Sequence, residues 1–414
     1  MLKMEEALEQ ILTAARPLGT TESPLLAALG TFLAEDVIAD IDLPPFDNSA
    51  VDGYAVRAAD TLGASAASPV VLREAGGVAA GGTPGSAVTA GTAFRIMTGA
   101  PMPAGADAVV MIEDTRRETA PGGTEIFVAI HEAAAREQHV RRAGEELRAG
   151  ARVLRAGARI RPAEIAMLAT MGRAMVRTGR IPRVAVFSTG DELVDISTRD
   201  IPPPGKIRDS NRYTLAAMVQ DAGGQIHSIG QLPDDPDATE AALRLAANPD
   251  TGADVILTAG GVSVGDRDYV KPVVEKLGRL ALWKVAIKPG KPLAFGQIGR
   301  ALFFGLPGNP ISAMVTFELF ARPALLQMAG GSGGHLHRRT VEAALTEAVP
   351  HIPGRREYVR ATTIWRNGGY EASTSGKQGS GMLQSATAAN SLLLIREESA
   401  GMAAGEAVEV LLME

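Results

Sequence analysis

With 414 residues, 46% of them hydrophobic and 21% charged, the chain is globular in composition and too long for one ordinary core, so about two to four domains are expected. A formal net charge of −6 gives no support for broad nucleic-acid binding, so an anionic ligand has to be held by a local basic cluster or a bound cation. The absence of cysteine excludes disulfides, thiolate metal sites and cysteine nucleophiles within the chain, and six scattered histidines give little material for a zinc cluster. His335-Leu-His337 lies in a Gly-rich segment and reads as an exposed linker. No apolar run approaches the roughly 20 residues that span a bilayer, and Met1 to Glu6 is acidic and amphipathic where a signal peptide is basic and then apolar, so no membrane association and a cytoplasmic location are expected.

Residues 4 to 15 place Ala7, Leu8, Ile11, Leu12 and Ala15 at helical spacing. Ser23-Pro24 reads as the start of a second, shorter helix with Ser as cap, ended by Gly30, and an extended run from Leu33 to Leu43 follows. The segment to about residue 139 is rich in Gly, Thr and Val, with short apolar runs at 70–72, 93–97 and 108–112, and reads as a small β-rich domain. A helix opened by Pro162 and closed by Gly172 follows.

Residues 181 to 328 alternate strands and helices. Strands are predicted at 184–187, 225–229, 255–257, 283–287, 293–295 and 301–304. A helix from Arg212 to Ala222 is expected, capped by Ser210 or Asn211, and another starts near Asp235-Pro236. Alternation of this kind predicts a doubly wound, mostly parallel sheet with helices on both faces, whose ligands bind beyond the carboxyl ends of the strands. Gly330 to Gly334 looks like a linker, and five short strands beyond it, at 340–345, 357–364, 370–374, 392–395 and 407–411, predict a small β-barrel or sandwich.

Three of those carboxyl ends carry the chemistry-bearing motifs: Ser188-Thr-Gly-Asp-Glu-Leu193, Thr258-Ala-Gly-Gly-Val-Ser-Val-Gly265 with Asp266 and Asp268 behind it, and Gly305-Leu-Pro-Gly-Asn-Pro310. Gly260, Gly261 and Gly265 let backbone approach a ligand, and the amides there, with Ser263 beside them and Gly308-Asn309 at the next helix start, suit phosphate. Pro307 and Pro310 fix the shape of that turn. A carboxylate facing phosphate is repulsive without a metal ion, so Asp268 points to Mg2+; a strand-to-helix turn with Asp as cap is the plain alternative. Lys284, Lys288 and Lys291 form the basic group, and on a 283–287 strand Lys284 and Lys288 would point to one side, with Pro289-Gly290 turning Lys291 toward the same mouth. Solvated lysines at a strand end are the bland reading. Asp234-Asp235-Pro236 is on its face a helix start.

These motifs, with Pro45-Phe-Asp-Asn-Ser-Ala-Val-Asp-Gly-Tyr-Ala55 and Arg95-Ile-Met-Thr-Gly-Ala-Pro101, resemble the molybdopterin molybdenumtransferase (MoeA) family over most of the chain. The resemblance implies an α/β multidomain protein: an elongated domain of residues 1–45 plus 140–180, a β-rich domain of 46–139 inserted in it, a molybdopterin-binding α/β domain of 181–328 and a C-terminal barrel of 335–414. It implies molybdate and adenylylated molybdopterin as substrates, Mg2+, and a homodimer. The molybdopterin adenylyltransferase and cofactor-accepting molybdoenzymes are implied partners. By resemblance Asp52, Glu192, one of Asp234 or Asp235, and Asp268 line the site and hold Mg2+ or order the reacting groups. Thr98, Ser188, Thr189 and Gly190 bind substrate, the three lysines hold anions, and Arg360 and Ser380 contact the anionic ligand, Arg360 through a guanidinium suited to bidentate oxyanion contact.

Two positions depart from the family pattern. Glu146 stands where Asp is common, keeping the charge on a longer side chain, and Ser391 stands where Gly is common, which would strain a turn needing positive φ. The function implied is insertion of molybdenum into adenylylated molybdopterin with release of AMP. An adenylyltransferase making that intermediate, or a non-catalytic molybdopterin-binding scaffold of the same fold, are the alternatives.

Overall fold

A computed structural model describes residues 1–232, 235–261 and 269–413, apart from the side chain of Leu282. Its contacts group the chain into two compact units, one of residues 36–155 with 170–172, the other of residues 1–35, 156–169 and 173–414.

The smaller unit is built on a six-stranded sheet in the order Ala108–Met111, Gly53–Val56, Thr92–Ile96, Val70–Val78, Ile126–Ile130, Thr115–Thr119. The three apolar runs predicted as strands are all present. Alternate residues face opposite ways, so Tyr54 and Val56 join one apolar cluster while Ala55 joins another.

In the larger unit the sheet order is Gln225–Leu232, Arg183–Thr189, Val255–Ala259, Ala301–Leu306, Pro292–Ile298, Gly278–Lys284. The first four strands are parallel, and the last two are joined to them and to each other by antiparallel pairings, so that Pro292–Ile298 alone runs against the rest. The expected alternation of strands and helices thus yields a parallel sheet with an antiparallel edge. All five residues of Val255–Ala259 are buried, as a central strand covered on both faces requires. Val184, Val186, Leu257 and Phe304 face one core, shared with Ala7 and Ile11 of the Met4–Ala14 helix, while Ala185, Phe187, Ile256 and Phe303 face the other, under the Pro236–Ala246 and Val270–Leu277 helices.

Beyond it, Arg356–Arg366, Gly369–Thr374, Thr340–Leu345, Ala407–Leu412 and Ser391–Ile395 pair in that order, and Ser391–Ile395 returns to Arg356–Arg366 to close a five-stranded barrel. All five predicted strands are there.

Several expectations need correction. Ser23-Pro24 does not start a helix: Thr20–Pro24 is a strand paired with Met175–Gly179, and the Ser23 hydroxyl meets the Thr178 hydroxyl at 3.1 Å instead of capping. A single 3-10 turn, Leu25–Ala28, follows. The 283–287 run is not one strand. Gly278–Lys284 ends at its pairing with Pro292, and Ile287–Lys288 leaves to pair with Arg356–Glu357 of the barrel. Lys284 and Lys288 therefore belong to different sheets, and the expected every-second-residue alignment does not apply.

The Asn211–Asp221 helix is not capped by Ser210 or Asn211. Asp209 Oδ1 accepts from the Arg212 amide at 3.3 Å, and the Asn211 side chain is used elsewhere. Gly330 to Gly334 is no loose linker, because Gly331 is buried where a Cβ would stand 2.7 Å from the Phe32 ring. His335 is exposed, as expected, yet its ring lies edge-on to Phe32, with centroids 5.7 Å apart.

Ser391 causes no strain, since positive φ outside glycine occurs among the described residues only at Glu137, His139 and Asn367. It is fully buried in extended backbone, its hydroxyl 2.9 Å from the Ala361 carbonyl and 2.7 Å from the Thr363 hydroxyl. Next to it, the Asn390 amide bonds both the N–H and the C=O of Thr363, at 2.8 and 2.9 Å, imitating one more ladder rung. Reverting to the common residue should therefore harm this chain. Ser391→Gly removes a buried hydrogen bond and adds backbone freedom in a strand, and is expected to lower stability by about 1 to 2.5 kcal/mol in urea unfolding followed by circular dichroism.

Candidate functional site

The parallel strands deliver their carboxyl ends to one edge of the sheet. Thr189 and Gly190 end one strand, Gly260 and Gly261 follow the central one, and Pro307 and Gly308 follow Ala301–Leu306. Backbones approach closely there. A Cβ on Gly260, where φ is +90°, would lie 2.8 Å from Thr189 Oγ1 and 4.0 Å from the Gly308 Cα, so the motifs pack as one platform that larger residues would wedge apart. Gly190 has φ +133°, a value that favours glycine, and the Glu192 carboxylate folds back over it into the space a Cβ would take. The Ser188 hydroxyl is already occupied: it is fully buried and donates to Asp209.

Asp209 was not anticipated, and it organises this edge. It is fully buried, takes the Ser188 hydroxyl, and holds the Arg212 Nε at 3.1 Å, while Arg212 reaches on to Asp195. The amide hydrogen bond from Ser197, together with Arg212, holds the Asp195 carboxyl below its usual range. Asn211 Nδ2 donates to the Gly308 carbonyl at 2.7 Å, tying the helix after Asp209 to the Pro307–Pro310 turn. In the sequence only Ser210 or Asn211 stands out here, as a helix cap, and nothing local marks Asp209 as buried.

The second group surrounds the Pro310–Thr316 helix, which has Asn309 as cap and Pro310 in its first turn. Its Ile311 amide donates to the Ser380 carbonyl at 3.1 Å, bringing the 376–382 loop and the short Leu383–Thr387 helix behind it to the helix start. Arg360, only 3% exposed, holds both through Ser385 Oγ at 2.8 Å and the carbonyls of Lys377 and Gly379 at 3.0 and 3.2 Å. No carboxylate pairs with it among the described residues, and burial alone pushes its pKa down. Arg360 also lines a mostly apolar cavity of about 170 Å³ with Ile311, Met314, Ser391 and Met413.

The three lysines lie along the 284–291 segment, Lys284 at the end of one strand, Lys288 in the next and Lys291 beyond the turn, and the segment packs on the same helix. It is closed where the Val285 amide donates to the Lys291 carbonyl at 2.8 Å, and Gly290 packs where a Cβ would be 2.6 Å from Thr316. Lys284 and Lys291 are exposed and form no ion pair among the described residues. Lys288 pairs with Glu357 at 2.9 Å. Neither Glu357 nor its second partner, His351, was singled out in the sequence.

In the smaller unit, Asp52 Oδ1 accepts from both the amide and the hydroxyl of Thr98, each at 2.7 Å. The amide bond first and the hydroxyl second hold the Asp52 carboxyl below its usual range, and Oδ2 stays without a partner among the described residues. Glu146 is exposed, and its carboxylate makes no hydrogen bond or ion pair there. Asp235 caps the Pro236–Ala246 helix, accepting from the Ala238 amide at 2.7 Å, so the plain reading of that residue accounts for its contact. Asp234, Ser263, Gly265, Asp266 and Asp268 lie outside the described residues. Among the described residues no three acidic or histidine side chains gather as a ready metal-binding set, although the ionised Asp52 oxygen is a hard donor of the kind Mg2+ takes.

Comparison with known proteins covers the whole chain. Family profiles described as the MoeA N-terminal region (domain I and II), a probable molybdopterin binding domain and the MoeA C-terminal region (domain IV) match residues 2–172, 185–327 and 342–413. A molybdopterin molybdenumtransferase of Haemophilus influenzae is 36% identical over 412 residues, covering 99% of this chain and 98% of that protein. A molybdopterin molybdenumtransferase 2 of Mycobacterium tuberculosis is 37% identical, over 98% and 97%. Among solved structures, the molybdopterin biosynthesis moeA protein of Pyrococcus horikoshii OT3 superposes with a TM-score of 0.83 at 33% identity, with 100% of each chain covered. Strand-end motifs, barrel and full-length similarity agree, and the chain belongs to the molybdopterin molybdenumtransferase (MoeA) family.

Proposed function

We propose that this protein transfers molybdenum from molybdate into adenylylated molybdopterin, breaking the phosphoanhydride and releasing AMP. The observation that carries the reading is the gathering around one helix of the Gly308-Asn309 turn and the loop held by Arg360, both at its start, and of the lysine-bearing 284–291 segment, which packs against Thr316 at its other end. Helix-terminal amides and unpaired ammoniums favour anions, and they do so on a chain whose net charge of −6 would otherwise repel them. The glycine platform of Gly190, Gly260 and Gly261 beside Thr189 has no side chains of its own to keep a phosphate away from the strand ends. Such a reaction asks chiefly for positioned phosphates and an oxyanion held beside the dithiolene, with no covalent nucleophile.

Asp52, Glu192 and Asp268 are the residues proposed to hold Mg2+, whose chemistry there is to offset phosphate charge. Asp52 fits that task as an ionised carboxylate with one oxygen to spare. The family resemblance further supports a cytoplasmic homodimer that passes its product to molybdoenzymes, and no helix among the described residues is long and apolar enough to cross a membrane.

Three measurements test this reading. Lys288→Ala is expected to weaken molybdate binding by about 1 to 3 kcal/mol in isothermal titration, the range for a hydrogen bond to a charged group, and an unchanged affinity returns the residue to a solvated role. Asp268→Asn keeps size and capping ability while removing charge, so folding should persist while Mg2+-dependent AMP release falls at least tenfold, roughly 1.4 kcal/mol in barrier terms. AMP release at the wild-type rate would remove Asp268 from the metal site. Light scattering should give twice the 43.0 kDa chain mass at micromolar concentration, and a monomer would contradict the dimer.

A further inference from the structure

Lys288 is held on one side by a carboxylate that is itself held. The Ile287–Lys288 strand pairs in parallel with Arg356–Glu357, setting Lys288 directly beside Glu357. Lys288 Nζ lies 2.9 Å from Glu357 Oε1, with the lysine side chain 47% exposed and the glutamate side chain 9% exposed. The other oxygen, Oε2, lies 2.8 Å from His351 Nδ1. A carboxylate paired with an ammonium only accepts, so Nδ1 carries the hydrogen. The His351 side chain is 1% exposed, and its Nε2 has no hydrogen-bond partner among the described residues. A buried imidazole that leaves one nitrogen bare has a single polar contact to offer, and here that contact is Glu357.

We propose that Glu357 and His351 are positioning residues for the transferase reaction: His351 fixes the Glu357 carboxylate, and Glu357 pins the Lys288 ammonium where the oxyanion docks. The proposal rests on the reading of Lys288 as an anion-binding residue. An exposed lysine on a flexible stem has many rotamers, and a buried carboxylate fixed at both oxygens selects one of them. The carboxylate also opposes the incoming dianion. Glu357 thus trades ground-state affinity for placement, which predicts a kinetic signature that a merely structural residue lacks.

The test uses the full-length protein, molybdate and adenylylated molybdopterin, with AMP release as the readout. Glu357→Gln is expected to lower kcat about tenfold while the KM for molybdate stays level or falls. His351→Leu should follow it, whereas His351→Asn, of similar size but able to donate to Glu357, should stay within about threefold of the wild-type kcat. Wild-type kcat in Glu357→Gln, or equal kcat in the two His351 variants, overturns the proposal. If Glu357→Gln does not fold, the His351 pair decides it. Lys288→Ala separates the two layers: wild-type kinetics there sink the anion-binding reading itself, while an impaired Lys288→Ala beside unaffected Glu357→Gln and His351→Leu sinks only the positioning role.

Discussion

The constraint on which the larger unit depends is burial of its central sheet on both faces. Val255–Ala259 has no exposed residue, and its neighbours Arg183–Thr189 and Ala301–Leu306 are nearly as enclosed. Its one polar side chain, Thr258, is fully buried with its hydroxyl unpartnered among the described residues, and since such a group is costly between two apolar cores, a strand in that position has little room for chemistry along its length. Polar function is displaced to the strand ends. Thr189, Gly260 and Gly308 meet there because parallel strands all finish on the same edge.

That edge is stiffened by charge kept out of solvent. Asp209 and Arg212 are both buried and ion-paired, with Ser188 donating to Asp209 and Arg212 reaching on to Asp195. Burying such a pair contributes little net stability, but removing one partner leaves the other stranded, so the pair enforces one arrangement of the loops it joins. Arg360 follows the same logic with carbonyl and hydroxyl acceptors in place of a carboxylate.

What could be read from the sequence divides along the same line. The strands and the motifs at their ends were legible, since apolar runs and glycine turns are local signals, and every barrel strand was placed by the same means. Contacts made through tertiary pairing were not. Ser23 looked like a cap until its strand found Thr178, and Lys284 and Lys288 looked aligned until the chain between them changed sheets. Glu357 and His351 carried no local mark, because a glutamate in an alternating strand reads as solvated. Ser391, judged by backbone strain alone, turned out to sit in extended backbone with its hydroxyl satisfied.

The two-residue strand Ile287–Lys288 has an architectural consequence. It leaves a hairpin of the α/β sheet to pair with the barrel, and Tyr358 and Leu392 of the barrel share a core with Ile311 and Phe317 of the adjoining helices. The barrel is therefore no interchangeable module appended at the end of the chain. Recombination that exchanged it for a foreign domain would strand the 287–288 amides, uncover a helical face and unseat the lysine loop in one event, so the α/β sheet and the barrel have to change together.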